Sequence, residues 1–163
     1  MTINERRNSV NPANVQEEMK MDMKAKLSTL WIFVTLNYLY CDIIGLMDPE
    51  LLPQFLRGNV NGLEITPGFL LGAAILIEIP IAMVLLSRVL KHVANRRANI
   101  AAGTIMTAVQ SASLFVGTPA PYYLFFSVIE IATTVLIVWF AWNWREPVAQ
   151  VEPYEPELSA SRR

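Results

Sequence analysis

Residues 67–90 read PGFLLGAAILIEIPIAMVLLSRVL, a run of 24 residues in which Glu78 is the only ionisable side chain before Arg88. A hydrocarbon core about 30 Å thick is crossed by about 20 helical residues at ~1.5 Å each, so the run is long enough to span a membrane. It shows no alternation of polar and apolar positions and is about twice the length of a barrel strand, which leaves a helix as the way to cross lipid. Working outward, three further apolar runs of 21, 19 and 24 residues occupy 27–47, 98–116 and 121–144. The expected fold is all-α, an integral membrane bundle of four transmembrane helices. The composition agrees, with 53% hydrophobic and only 17% charged residues and a mean hydropathy of +0.36.

The distribution of Lys and Arg orients the bundle. Arg6, Arg7, Lys20, Lys24 and Lys26 precede the first run, Arg88, Lys91, Arg96 and Arg97 surround the second connection, and Arg145, Arg162 and Arg163 follow the last run. Arg57 alone lies in the first connection, a split of 12 against 1 that places the N- and C-termini in the cytoplasm. Trp31, Trp142 and Trp144 then fall at the cytoplasmic interface as aromatic anchors, with Tyr122 and Tyr123 at the opposite one. Residues 1–26 form a polar N-terminal tail in which Asn11-Pro12 resembles a cap and first-turn proline, the start of a juxtamembrane helix. The outer connection 48–66, with prolines and glycines around Leu51, Leu52, Phe55 and Leu56, suits a short interfacial helix followed by turns. Gly117 to Pro121 is so short that the third and fourth spans must be antiparallel neighbours. Residues 145–163, acidic and Pro-rich, read as a disordered tail.

The net charge of −1 gives no basic field for nucleic acid. One cysteine, Cys41, and one histidine, His92, exclude cysteine-rich or histidine-cluster metal sites, and no metal or other cofactor is expected. His92, beside Lys91, reads as a solvated side chain. No nucleophile–base pair is recognisable, so the chain does not read as an enzyme.

Three acids lie within the spans: Asp42 in the first, Glu78 in the second and Glu130 in the fourth. Ionisable groups there usually face a cavity or a partner. Counted from the outer helix ends, all three and Gln110 lie roughly 8 to 16 Å deep, so one layer could hold them. Each sits on a stripe of small or hydroxyl residues, as in Ala74, Glu78 and Ala82 or Ser127, Glu130 and Thr134, which suits close helix contact. Gly68-x-x-x-Gly72 adds a further small-residue contact. No Lys or Arg lies inside the spans, so the carboxyls either carry protons or bind a cation. Two readings stand side by side. In one, Glu78, Glu130 and Asp42 form a proton or cation site supported by Asn37, Gln110, Tyr38 and Thr134, used in proton-linked binding or transport of a small or organic cation. Four short spans would then call for a homodimer. In the other, the acids only hold the packing of an accessory or assembly subunit of a larger membrane complex.

From Met21 to Trp144 the chain resembles an uncharacterised family of small bacterial four-span membrane proteins, a domain of unknown function. The likeness is carried by Met21-Asp22-Met23-Lys24-Ala25-Lys26-Leu27-Ser28-Thr29-Leu30-Trp31, by Asn37-Tyr38-Leu39-Tyr40-Cys41-Asp42 and by Gly45-Leu46-Met47. It implies a four-helix membrane protein and supplies no activity; the expected location is the bacterial inner membrane. Ala74 to Glu78 is also similar to the glutamate-bearing helix of small multidrug resistance transporters, an analogy of chemistry only, since there the acid is in the first helix.

Overall fold

Proline sets the start of three long helices. At the first helical position its missing N–H is no loss, because first-turn N–H groups have no intrahelical acceptor. The computed structural model describes residues 12–144. The helices that open on proline are α1 (Pro12–Met47), α3 (Pro67–Val89) and α5 (Pro121–Asn143); between them lie the short α2 (Leu52–Leu56), strands β1 (Asn59–Val60) and β2 (Leu63–Glu64), and α4 (His92–Ser113). At α3 the Thr66 hydroxyl caps the first turn by accepting from the Phe69 N–H at 3.1 Å. The expected tail 145–163 and the first eleven residues lie outside the described residues. From Pro12 the polar N-terminal segment continues without a break into the first apolar run.

Three helical segments are long and apolar enough to cross a membrane: Met21–Met47 of α1, α3 and α5. They point to a membrane-associated protein, and large apolar side chains such as Leu71, Leu85, Phe125 and Val128 are exposed on them. In water such a surface would drive association, whereas in lipid it faces its own solvent. The 22-residue α4 is nearly as long, but it starts six residues before the run read as 98–116 and ends three before it does. Its extra first turns carry His92, Asn95, Arg96 and Arg97. The helix accommodates Asn95 because the neighbouring helices bury and satisfy it.

Helix α4 lies antiparallel along the whole of α5. Arg96 donates to the carbonyls of Ala141 at 3.1 Å and Trp142 at 3.0 Å, Gln110 reaches Ser127, and Ser113 meets Tyr123. Midway, Gly103 lets the helices close: a Cβ there would come within 2.7 Å of Val138 Cγ2 and 3.3 Å of the Thr134 carbonyl oxygen. By contrast Gly72, expected in a helix contact, has nothing near it. Helix α1 packs against both α3 and α5, and α4 closes the ring by touching α3.

The 48–66 connection holds the expected short helix and also a hairpin. Asn61 and Gly62 occupy its two-residue turn with φ of 49° and 86°, the left-handed pair whose twist matches an antiparallel ribbon, and they set the register Asn59↔Glu64 and Val60↔Leu63. The Asn61 side chain rests on Gly117 in the α4–α5 turn, where a Cβ would come within 2.9 Å of Asn61 Cγ. The hairpin thus roofs that end of the bundle, opposite the basic end marked by Lys24, Arg88 and Arg96.

Candidate functional site

At the basic end a buried polar network ties three helices together. Trp31 Nε1 of α1 donates to Asn99 Oδ1 at 2.7 Å, and Ser87 Oγ of α3 donates to the same oxygen at 3.2 Å. Asn99 Nδ2 donates to the Asn95 carbonyl and to Asn95 Oδ1 at 2.9 and 2.6 Å, while Asn95 Nδ2 donates to the Ser87 carbonyl at 2.6 Å. All four side chains are fully buried and all are satisfied. Trp31 is therefore a core residue, where an interfacial anchor was expected. Trp144 is also buried, edge-on to His92 at 4.6 Å, so His92 is packed where a solvated ring was expected. Trp139 and Trp142 remain exposed. Sequence reading missed Asn95 and Asn99; their spacing of four, continued by Ala102 and Met106, was the available signal.

The expected site lies toward the hairpin end and is differently made. Glu130 of α5 is 1% exposed, and among the described residues neither carboxyl oxygen has a hydrogen-bond partner. The Tyr38 hydroxyl of α1 is likewise buried and unpartnered. Glu130 lies within electrostatic reach of Tyr38, Cys41 and Asp42, all on α1, and of Tyr123. The structure thus brings Glu130, Asp42 and Tyr38 into one neighbourhood, with Asp42 on its exposed margin.

Thr134 and Gln110 support this site from behind. The Thr134 hydroxyl lies 2.8 Å from that of Thr107 and donates to the Glu130 carbonyl at 3.0 Å. Gln110 Nε2 donates to Ser127 Oγ at 2.9 Å, one turn from Glu130. Asn37 does not join: its amide donates back to the Phe33 carbonyl at 2.9 Å on its own helix. Glu78 does not join either. It lies on the exposed face of α3 with no hydrogen bond or ion pair among the described residues, and α3 is in substantial contact with α1 but not with α5.

Above Glu130, between the 48–64 segment and the α4–α5 turn, is a cavity of about 340 Å³ lined by Asp48, Glu50, Gln54, Ser113, Tyr122 and Tyr123 among others, with no basic side chain. Its volume falls in the range of small-molecule sites. Polar groups lead from it toward the acid: Tyr123 donates to Ser113 Oγ at 2.6 Å, Ser113 to the Gln110 carbonyl at 2.7 Å, and Gln110 to Ser127. Neither Ser113 nor Tyr123 was singled out from sequence for this role, because each gains it only through contact across two helices.

Residues 16–150 match the family of unknown function DUF6326. The chain belongs to that family. Comparison with curated proteins and with solved structures gives no match. Family membership, covering the described bundle from α1 to α5, adds no activity to the geometry above.

Proposed function

We propose that the protein crosses a bacterial inner membrane four times with both termini in the cytoplasm, and that Glu130 is the proton-carrying acid of a site for a small or organic cation, completed by Asp42 and Tyr38. For the fourth crossing, the support is that α4 runs the length of α5, and a helix packed end to end on a spanning helix crosses with it. Its polar first turns then sit at the cytoplasmic side, where the excess of Lys and Arg also belongs.

The observation that carries the site reading is the pair of unpartnered carboxyl oxygens on a fully buried Glu130. A glutamate kept only for packing would be expected to spend its donor and acceptors on neighbours, since a buried unsatisfied polar group is destabilising. A group that must exchange a proton for a cation is instead kept free of fixed partners. The cavity with Asp48, Glu50 and the two tyrosines supports a cationic ligand approaching from the hairpin end, because carboxylates and aromatic faces both attract organic cations. Transport or binding would then proceed by competition between proton and cation at Glu130.

The test is binding of tetraphenylphosphonium, a lipophilic organic cation, to the full chain in lipid nanodiscs across a range of pH. The expected result is pH-dependent binding that Glu130→Gln weakens at least roughly tenfold, about 1.4 kcal/mol. Equal binding by parent and variant at every pH would return the acid to a structural role.

A further inference from the structure

We propose that the exposed face of α3 is the seam of a homodimer in which the Glu78 carboxyls of two copies pair with each other at the middle of the membrane. The inference is independent of the Glu130 reading and uses a different helix and a different acid.

Glu78 is the midpoint of α3, eleven residues from Pro67 and eleven from Val89. In a spanning helix that is the deepest place available, roughly 16 Å from either boundary and beyond the reach of a glutamate side chain. Its surroundings on the exposed stripe are entirely apolar: Leu71, Ile75, Ile81 and Leu85 are all exposed. Among the described residues no group on α1, α4 or α5 bonds to it. A carboxyl so placed would face hydrocarbon in an isolated chain, where its donor and acceptor go unanswered.

The self-complementary chemistry of a carboxyl selects a second copy as the occupant. A two-fold axis beside α3 sets Glu78 against its own image at the same depth, where each acid supplies what the other lacks. A carboxyl carrying its proton offers one donor and one acceptor, so two of them answer each other fully, with no residual charge in the bilayer. Ala74 and Ala82 lie one turn to either side on the same stripe and are small enough to let the two backbones approach. The Lys and Arg bias, which gives both copies one orientation, makes the axis parallel to the membrane normal, with Ala74 opposite Ala74 and Ala82 opposite Ala82.

The experiment uses the full chain in native membranes with Cys41→Ser as background. Ala74→Cys and Ala82→Cys, introduced singly, should each give an oxidatively cross-linked dimer, and Ile105→Cys, on the exposed side of α4, should not. In purified protein reconstituted in bilayers, Glu78→Leu should raise the dimer dissociation constant roughly tenfold, the worth of two hydrogen bonds in lipid. Glu78→Gln, whose amide also offers donor and acceptor, should stay within about threefold of the parent. Position 78 is exposed in the single chain, so these substitutions leave the bundle's own packing intact. Cross-linking at positions 74 and 82 no greater than at 105, a Glu78→Leu protein as dimeric as its parent, or recovery of α3 in complex with a different chain would each overturn the proposal.

Discussion

The bundle holds two buried polar regions, one at each end, and they obey opposite rules. At the basic end Trp31, Ser87, Asn95 and Asn99 satisfy one another across three helices. Toward the hairpin end the Glu130 carboxyl and the Tyr38 hydroxyl are also buried, yet neither has a hydrogen-bond partner among the described residues. Both regions are polar, both are enclosed, and only the first can contribute stability, because a buried polar group stabilises when paired and destabilises when not. Polarity inside a membrane bundle therefore separates into architecture and site by its bonding, a distinction that residue type does not make.

The contrast breaks most readily at Asn99. Replacing it with Ala strands the Trp31 N–H, the Ser87 hydroxyl and the Asn95 side-chain oxygen together, and thermal unfolding in mild detergent should show a loss of about 3 kcal/mol. A loss well under that would mean the network is held by the helices and does not hold them. Gly103→Ala tests the contact that sets α4 against α5 between the two regions: its new methyl meets Val138 and the Thr134 carbonyl, and overpacking there should cost about 2 kcal/mol by the same measurement. Gly117→Ala puts a side chain at a φ of +69° under Asn61, with an expected cost of about 1 kcal/mol and faster protease cleavage of the 48–66 connection. The one substitution expected to lose no stability is Glu130→Leu, which should leave the protein as stable as its parent or more stable by up to about 1 kcal/mol, since it removes a buried carboxyl that no hydrogen bond compensates. A large destabilisation there would erase the difference between the two regions.

Much of the fold was legible because length and hydropathy are properties of a segment by itself. The ends of α3 and α5 fall within one residue of the runs that mark them, and Pro67 and Pro121 announce their starts. The start of α4 was not legible: Asn95 looks like a connection residue until Ser87 and Asn99 answer its amide. Asn61-Gly62 did carry a hairpin signal, which the surrounding prolines and glycines obscured. For the site, depth could be counted along the chain but rotation about each helix axis could not. Glu78 and Glu130 each sit on a stripe of small residues at similar depth, and such a stripe suits an inward face and an outward seam equally. Only the packing of α3 on α1 and of α5 on α4 turns Glu130 inward and leaves Glu78 outside.

The Trp31–Asn99–Ser87 junction has a mechanical corollary. Beyond Trp31, no side chain of α1 through Met47 makes a hydrogen bond to another helix among the described residues, while the segment before it is fastened through Ser28 to the Val84 carbonyl at 2.9 Å as well as through Trp31. The helix is thus hydrogen-bonded to its neighbours at one end and, through Met47, held by packing alone toward the other, like one arm of a pair of tongs. A small tilt pivoting near Trp31 would swing Tyr38 and Asp42 toward or away from Glu130 without breaking a single bond between helices.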